Sequence, residues 1–507
     1  MLWKNLKGGL IPFFKTYPDA YLSTYMKRRK AIRNIGLGIS AGLTLPTWLS
    51  ACKEEDPGPE IKYDGTIAVI GAGAAGLYVA DILQTKGLNV VLYEASNRVG
   101  GRVQSIRQFE DNPLNSDFPT ELGAERILGT DSVWAKIVQQ LKIPVVEYQN
   151  LSTDAYFLDG VFKTRAEAEA DSDFIAAQNF FNNLKNYNGS NVSVQQAIQS
   201  AGLAPKTHRI LNSWIGNKYG TSNDRLSALA LAEGLNLITR NSSELTLSSN
   251  PMQDVLTSRY SNVVPKVQLR HVVKSIDYTG AKIMLTGEKI ISDTASENFS
   301  VEADRVIVTV PVSVLKDGDI TFTPALPAAK TTALSRMEMD TAIRVVLEFK
   351  QNFWGQEMAN LYGGADVPEY LNAGVGRSDF NKTMSLTIHG PAAEQLSPLG
   401  SDMVPLILSE LDSIFDGKAS LNIRRDLDTD EIISVIRDWS QEPYIRGGVA
   451  YVKPGGTNND RINLGTAVND VLFFAGEATD SKGEFGTING ALLSAERVAQ
   501  EVIDTIV

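Results

Sequence analysis

The alternation of apolar and polar positions predicts two strands and an intervening helix near residue 66. Residues 67–70 form a short apolar run, a stretch of helical pattern ends at Gly87, and residues 90–93 form a second apolar run. A strand, a helix and a strand within about thirty residues are typical of a βαβ unit, in which the two strands lie parallel. The pattern therefore predicts an α/β fold that begins with this unit.

The remaining pattern divides into a helical region and several strand-like segments. Residues 131–250 carry apolar positions at helical spacing, which predicts amphipathic helices whose apolar faces form core. Short runs that predict strands come next, at residues 267–276, 282–285, 305–310, 341–349 and 471–474, and a final helix ends at Val507.

Three glycines follow the first predicted strand directly, namely Gly71, Gly73 and Gly76. In a GxGxxG motif the first glycine allows a tight turn, the second lets a pyrophosphate approach the backbone, and the third lets helix and strand pack closely. Glu94 lies 18 residues after Gly76, where an acidic side chain accepts hydrogen bonds from an adenosine ribose. The motif predicts a dinucleotide site; a glycine-rich turn without a ligand is the alternative.

A second cluster of arginine and glycine comes after Glu94. It contains Arg98, Gly100, Gly101 and Arg102. With Glu94 it resembles the ExxxRxGGR extension of FAD enzymes in the amine oxidase and glutathione reductase superfamilies, where it completes the pyrophosphate site. The resemblance implies FAD, and it disfavours NAD because a plain NAD fingerprint has no second glycine–arginine cluster.

Composition narrows the possible partners. The chain has 507 residues, enough for two or three domains, with 43% hydrophobic and 21% charged residues, as in an ordinary globular protein. No apolar run in the body of the chain is long and clean enough for a membrane span. The formal net charge is −11, and residues 52–507 alone carry −18. This acidic balance argues against nucleic acid as a partner.

The first 51 residues have the pattern of an export signal (residues 1–51). Arg28 and Arg29 form a twin-arginine pair, residues 35–48 are apolar, and residues 49–52 resemble a lipoprotein cleavage box. We expect translation to start at Met26, Cys52 to carry a lipid, and residues 52–63 to form a solvated tether. The expected location is the periplasm, the outer membrane or the cell surface, with the lipid as the sole membrane attachment. A basic N-terminus with a chance apolar run is the alternative.

Five separated motifs together resemble the flavin-containing amine oxidase family, which includes monoamine, polyamine and L-amino acid oxidases and tryptophan 2-monooxygenase. They are the dinucleotide fingerprint, ELGAER at 121–126, VIVTVPVSVL at 306–315, AIRVVLEF at 342–349 with FW at 353–354, and FAGEAT with GTINGA at 474–491. The resemblance covers essentially all of residues 64–507.

The resemblance implies an α/β fold with two domains. A Rossmann-like FAD-binding domain of the glutathione reductase type would be assembled from residues 64–126, 251–322 and 455–507. An α+β substrate-binding domain, with a mixed sheet and helices, would be formed by residues 127–250 and 323–454.

The same resemblance implies a non-covalent FAD site. Its expected residues are Gly71, Gly73, Ala75, Gly76, Glu94, Ala95, Arg98, Gly101, Arg102, Gly123, Ala124, Glu125, Arg126, Val273, Gly476, Glu477, Thr487 and Ile488. Since Cys52 is the only cysteine, a thioether link to the flavin is excluded. No metal is expected, because His208, His271 and His389 are far apart and lack metal-ligand spacing. His389 ends a predicted strand, where we expect it to pack or cap.

Two arginines decide the expected chemistry. Arg126 matches the arginine that holds the substrate carboxylate in L-amino acid oxidases, where a planar guanidinium suits bidentate binding. Its alternative role is an ion pair with Glu121 or Glu125. Arg344 lies where the family usually has a lysine that holds a water against flavin N5, and we expect it to hold that water or to stiffen the strand end.

The aromatic walls of the family's substrate site look absent. Thr487 occupies one of those positions, and Val449 or Ala450 occupies the other. Phe485, Tyr451 and Tyr444 are candidates for an aromatic side chain supplied from elsewhere.

The resemblance implies an FAD-dependent oxidase of amines, foremost of L-amino acids, that forms a keto acid, ammonia and hydrogen peroxide with O2. Alternatives are oxidative decarboxylation as in tryptophan 2-monooxygenase, oxidation of monoamines or polyamines, a flavin desaturase, and a flavoprotein without turnover. The sequence leaves the oligomeric state open.

Overall fold

The computed structural model describes residues 60–106, 120–147, 153–377 and 382–507. The expected signal region, the start at Met26, the twin-arginine pair, Cys52 and most of the tether lie outside these residues. Within them, no helix is long and apolar enough to span a membrane.

The strands are numbered here in chain order. The first half of the chain contains β1 Thr66–Ile70, β2 Asn89–Tyr93, β3 Ser105–Ile106, β4 Thr120–Glu121, β5 Ile127–Leu128, β6 Val145–Glu147, β7 Thr153–Leu158, β8 Val161–Thr164 and β9 Glu244–Leu247. The second half contains β10 His271–Asp277, β11 Ile283–Ser292, β12 Ala295–Ala303, β13 Arg305–Val308, β14 Thr321–Thr323, β15 Met337–Met339, β16 Ala342–Glu348, β17 Met358–Tyr362, β18 Glu369–Asn372, β19 Thr383–His389, β20 Ser434–Asp438, β21 Ala450–Val452 and β22 Leu472–Phe474.

The α-helices are numbered in the same way. They are α1 Ala74–Thr85, α2 Val133–Gln140, α3 Arg165–Ala168, α4 Ser172–Asn183, α5 Val194–Ser200, α6 His208–Asn212, α7 Ala228–Leu235, α8 Met252–Arg259, α9 Val312–Lys316, α10 Ala328–Arg336, α11 Pro391–Leu396, α12 Met403–Ile414, α13 Lys418–Asn422, α14 Asn459–Gly465 and α15 Ile488–Asp504. A π-helical turn, Ser213–Asn217, continues α6.

A parallel sheet in the order β2-β1-β13-β22 joins three distant parts of the chain. All of its neighbouring strands run in the same direction. Strands of a parallel sheet are covered on both faces and are therefore apolar along their length, as TIAVI in β1 and LFF in β22 are. Helices α1 and α15 pack beside this sheet, and Leu77 and Leu492 lie in one buried cluster with Ile67.

A second, larger sheet has the order β20-β16-β19-β18-β17-β7-β8. Its pairs are antiparallel except for β17 and β7, which run parallel. Strand β16 is buried at every position, and its apolar side chains Ile343 and Leu347 share a core with Ile407 and Leu411 of α12. Because β16 is covered on both faces, its arginine is held inside the protein.

The structure differs from the expected elements in two places. Residues 131–250 include β6, β7, β8 and β9 as well as helices, and β7 and β8 complete the larger sheet. Strand β11 extends to Ser292 and pairs with β12 in a long hairpin, whereas the sequence predicts a short strand at 282–285. The β7–β8 and β11–β12 hairpins are partly exposed and contain many polar residues. The apolar period of 2 or 3.6 is therefore weak in both segments.

Candidate active site

A cavity of about 540 Å³ opens where the parallel sheet meets the larger sheet. The ends of β1, β2 and β13 and the starts of α1 and α15 form one side, and β16 and β19 form the other. Expected site residues that line it are Gly71, Gly73, Ala75, Glu94, Ala95, Arg98, Gly101, Arg102, Gly123, Ala124, Val273, Arg344, Val449, Gly476, Glu477, Thr487 and Ile488. Expected site residues outside this lining are Gly76, Glu125, Arg126, Ala450 and Phe485.

The glycine-rich turn forms a cradle on the sheet side. Gly71 has a φ of 104°, which favours glycine, and a Cβ at Gly76 would lie 1.9 Å from the Gly71 carbonyl oxygen. A Cβ at Gly73, in contrast, would meet no atom of the described residues within 4 Å. Helix α1 starts there with no capping side chain and no acidic residue in its first turn. This open space at the positive end of a helix suits a diphosphate group, as a dinucleotide cofactor requires.

Glu94 ties the end of β2 to the cradle. Its Oε2 accepts a hydrogen bond from the Ala72 N–H at 2.7 Å, and its Oε1 accepts from the N–H and the hydroxyl of Ser96 at 2.8 Å each. The carboxylate lines the cavity with one protein donor on Oε2. A carboxylate oxygen has more than one acceptor site, so Oε2 retains capacity for a ribose hydroxyl.

Glu477 joins three segments at the cavity. Its Oε1 accepts from Arg102 Nη1 at 2.8 Å and from the Ala450 N–H at 3.2 Å, and its Oε2 accepts from the Gly486 N–H at 2.9 Å. Arg102 Nη1 also donates to the Gly448 carbonyl at 2.7 Å. Glu477 therefore fixes the loops that carry cavity residues, and Ala450 contributes through its backbone.

Trp439 is a cavity residue that the sequence analysis does not identify. Its indole N–H donates to the Leu122 carbonyl at 2.7 Å. The guanidinium carbons of Arg98 and Arg437 lie 6.0 Å and 5.5 Å from the ring centroid. Burial and the nearby charge of Arg437 lower the pKa of Arg98. The sequence gives no signal for this contact, because Arg98 comes near Trp439 and Arg437 only in the folded protein.

Four side chains of β16 and β19 form the opposite wall, which we name the strand wall: Ala342, Arg344, Thr387 and His389. In the antiparallel register Arg344 lies opposite Thr387, and Ala342 lies opposite His389. Residues two apart on a strand share a face, so all four point to the cavity. His389, which is expected from the sequence to pack or cap, packs beside Gly448 and also lines the cavity.

Arg344 is buried, and each of its three guanidinium nitrogens donates to a protein acceptor. Its Nε donates to the Glu121 carbonyl at 3.2 Å, and its two terminal nitrogens donate to the Thr387 hydroxyl and the Glu125 carboxylate. Burial lowers the pKa of Arg344 to about 10, although Glu369 and Glu121 oppose the change. The group remains a cation at neutral pH, and its charge is balanced by Glu125.

Arg126 has partners that the sequence analysis does not expect. Its guanidinium donates to Glu244 Oε2 at 2.8 Å, to Asn360 Oδ1 at 2.6 Å and to Glu369 Oε1 at 2.9 Å. The two carboxylates come from 118 and 243 positions further along the chain. Burial raises the pKa of Glu244, but Lys218 and Arg126 outweigh it and hold that pKa at about 2. Arg126 thus belongs to an ionic cluster outside the cavity lining.

The remaining acids of the ELGAER motif are also held by the protein. Glu121 accepts from the Ser105 hydroxyl at 2.5 Å and from the Met252 N–H at 2.9 Å. Burial raises its pKa to about 7. Glu125, which was expected to bind the cofactor, is the partner of Arg344.

Some of the residues expected at or near the aromatic positions line the cavity, and others lie in the interior. Thr487 lines the cavity and caps α15 through the Gly490 N–H. Phe485 is buried against Tyr219 and lies under Arg461, whose guanidinium carbon is 4.1 Å from its ring centroid. Tyr444 lines the cavity, whereas the Tyr451 hydroxyl donates to Asp340 at 2.9 Å in the interior. Tyr444 is thus the one of the three suggested aromatics that lines this cavity.

Comparisons with known proteins identify the relatives of this chain. Residues 74–503 match the family model of flavin containing amine oxidoreductases. Lysine-specific histone demethylase 1 homolog 3 of Arabidopsis thaliana is 26% identical over 88% of this chain, which spans 30% of that protein's length. The L-amino-acid oxidase of Gloydius halys is 24% identical over 86% of this chain and 88% of its own.

A solved structure has the same fold. Cyclohexylamine oxidase from Brevibacterium oxydans IH-35A superimposes over 87% of this chain and 99% of its own, with a TM-score of 0.71 and 18% identity. The family match begins directly after Gly73 of the cradle and covers all four residues of the strand wall. The chain therefore belongs to the flavin-containing amine oxidoreductase family.

Proposed function

We propose that the protein oxidises an amine to the corresponding imine, with O2 as the final oxidant. Bound FAD supplies the hydride acceptor, and the protein supplies positioning and electrostatics. The imine then hydrolyses to a carbonyl compound and ammonia or an amine, and the reduction of O2 gives hydrogen peroxide. One observation carries this proposal: the glycine cradle and the strand wall with Arg344 face the same cavity.

The strand wall suits an amine that must lose its proton before oxidation. Arg344 presents its cationic guanidinium to the cavity, while its counter-ion Glu125 is absent from the cavity lining. A nearby cation disfavours a second cation, and the substrate amine is therefore favoured in its neutral form. Val449 and Ile488 add apolar surface that excludes water from this region.

We propose amines without an α-carboxylate as the better substrates. The expectation of L-amino acids depends on Arg126 as the carboxylate anchor. Arg126 already donates to Glu244, Glu369 and Asn360, and a substrate carboxylate would have to displace two protein carboxylates. This competition supports monoamines or polyamines.

L-Amino acid oxidation is the second candidate. The similarity to an L-amino-acid oxidase over 88% of that protein's length supports it. A tryptophan 2-monooxygenase-like outcome differs from it in the product, an amide in place of a keto acid, which product analysis distinguishes.

Export as a lipoprotein is a separate proposal. It is supported by the twin-arginine pair Arg28-Arg29 and by Cys52 at the end of the cleavage box. Under this proposal the folded protein carries FAD out of the cytoplasm and is held at a membrane by the lipid.

Matched pairs of substrates test the proposed function. The purified holoprotein is mixed without oxygen with phenethylamine or L-phenylalanine, and with cadaverine or L-lysine, while the flavin absorbance is followed. We expect the amine of a pair to bleach the flavin faster than the amino acid. Faster bleaching by the amino acids would favour the second candidate, and bound FAD that no amine or amino acid bleaches would contradict an amine-oxidising function.

A further inference from the structure

His389 is the last residue of β19 and belongs to the strand wall. It lies opposite Ala342 and on the same face as Thr387, so its ring is directed to the cavity that Arg344 also lines. Its backbone N–H is held by Asn217 Oδ1 at 3.0 Å, which fixes the end of the strand. The backbone that carries the ring is therefore anchored at this end of the strand wall.

The two ring nitrogens have different surroundings. The Nδ1 atom is enclosed and has no hydrogen-bond partner among the residues that the structure describes. The Cδ2–Nε2 edge faces Gly448, another cavity residue, since a Cβ at Gly448 would lie 2.9 Å from both atoms. No water-sized space remains at Nδ1, so Nε2 is the nitrogen available to a molecule in the cavity.

The other polar members of the strand wall are already used. Each guanidinium nitrogen of Arg344 already donates to a protein acceptor, and the Thr387 hydroxyl accepts one of these hydrogen bonds. A neutral imidazole that carries its proton on Nδ1 can accept a hydrogen bond at Nε2, whereas a guanidinium has no acceptor atom. His389 is thus a second acceptor on the wall, beside a Thr387 oxygen that already accepts from Arg344.

The groups around the ring keep it uncharged. Arg344 faces it from β16 and the Gly448 backbone from the loop before β21, whereas a hydrogen bond with the Asn217 backbone in the π-helical turn acts in the opposite direction and raises the pKa. The nearby Asp340 carboxylate accepts from Thr221, Arg225 and Tyr451. Burial, with a smaller contribution from Arg344, lowers the pKa of His389 from 6.5 to about 4.

We propose that His389 contacts the substrate amine and accepts a hydrogen bond from its nitrogen through Nε2. This inference rests on the proposed amine oxidation and names a binding group for it. The hydrogen bond orients the amine at the strand wall, and the proton of the incoming ammonium is lost to solvent before oxidation. Because the ring stays neutral above its low pKa, it serves as an acceptor over the whole working pH range.

Three variants at this position separate binding from packing. His389→Gln carries its amide near the position of Nε2, His389→Asn carries it near Nδ1, and His389→Leu has no polar group. His208→Leu is the matched control, because His208 binds Gln195 and the Leu203 carbonyl and is absent from the cavity lining. FAD content and the melting temperature are measured for every variant.

The readouts are kcat/KM for phenethylamine and cadaverine from pH 6 to 9, and the dissociation constants of both amines. We expect His389→Leu and His389→Asn to lower kcat/KM about tenfold or more, with weaker amine binding and unchanged FAD content. His389→Gln should retain kcat/KM within about threefold, and His208→Leu should equal the wild type.

The outcomes separate this inference from the proposed function. If the amines reduce the wild-type flavin and His389→Leu retains its kcat/KM, the inference is wrong and amine oxidation stands. Equal losses in His389→Gln and His389→Leu would also contradict it, because they would indicate packing alone. If neither amine binds or reduces the wild-type protein, both proposals fail.

Discussion

The guanidinium of Arg344 donates to the carboxylate of Glu125 inside the protein, where each side chain is 7% exposed. Arg344 also lines the cavity, whereas Glu125 lies behind it. The negative charge of Glu125 therefore balances the positive charge of Arg344 from outside the cavity lining. Since buried ions are costly unless paired, the position of Arg344 depends on Glu125.

Glu125→Gln tests this dependence. Removal of the carboxylate charge leaves the Arg344 cation buried without compensation, and we expect the free energy of unfolding to fall by about 2 kcal/mol or more. Glu348→Gln is the control, since Glu348 is a buried carboxylate that pairs with Arg424 at 3.0 Å and is absent from the cavity lining. Urea denaturation and kcat/KM are measured for both.

We expect both variants to lose stability, but only Glu125→Gln to lower kcat/KM of the folded enzyme. An equal kcat/KM in the two variants would show that the charge balance of Arg344 does not affect the site.

Gly73→Ala should affect FAD binding, whereas Gly76→Ala should affect the stability of the apoprotein. A methyl group at Gly73 meets no atom of the described residues within 4 Å, so the apoprotein should keep its melting temperature while FAD binding weakens. A methyl group at Gly76 would lie 1.9 Å from the Gly71 carbonyl oxygen, so it should destabilise the apoprotein. We measure FAD content and the melting temperature of the apoprotein. Normal FAD content in Gly73→Ala would argue against a diphosphate at this cradle. The larger side chain of Gly73→Val should abolish FAD binding altogether.

Arg126→Ala separates the two substrate classes. Because Arg126 holds Glu244 and Glu369, its loss leaves two carboxylates near each other and should weaken the local structure. We expect kcat/KM for phenethylamine and for L-phenylalanine to fall by the same factor. A loss confined to L-phenylalanine, about tenfold or more, would restore Arg126 as the carboxylate anchor.

Glu244 should make stability depend on acidic pH. Its pKa is held at about 2, below its ordinary value of 4.5, so its contribution is present above pH 4.5 and is lost as the pH falls toward 2. The shift corresponds to about 3 kcal/mol. We expect the difference in unfolding free energy between wild type and Glu244→Gln to shrink over this range. A difference that stays constant from pH 6 to pH 3 would contradict the assigned ion pairs.

Cys52→Ser tests the proposed lipid anchor. Acylation requires the thiol, so the variant should leave the membrane fraction, and it should keep its activity because Cys52 is the only cysteine. Membrane fractions washed with carbonate are compared by immunoblotting. Retention of the variant in the washed membranes would indicate an uncleaved signal segment instead.

The sequence determines those features whose residues lie close together along the chain. Gly71, Gly73, Gly76 and Glu94 fall within one strand–helix–strand unit, and their roles follow from the geometry of that unit. The apolar runs at 305–310 and 471–474 likewise predict strands because a buried parallel strand is apolar along its whole length. Local pattern is sufficient in these places, and β1, β2, β13 and β22 are found where it predicts strands.

Only the tertiary structure decides which distant side chains meet. The partners of Arg126 are Glu244 and Glu369, and no spacing in the sequence favours them over the nearer Glu121 and Glu125. His389 faces the cavity because of its register opposite Ala342, and a slip of one residue would turn it to the other face. Ion-pair choice and strand register depend on contacts between remote segments, and this is why the strand wall becomes visible only in the folded protein.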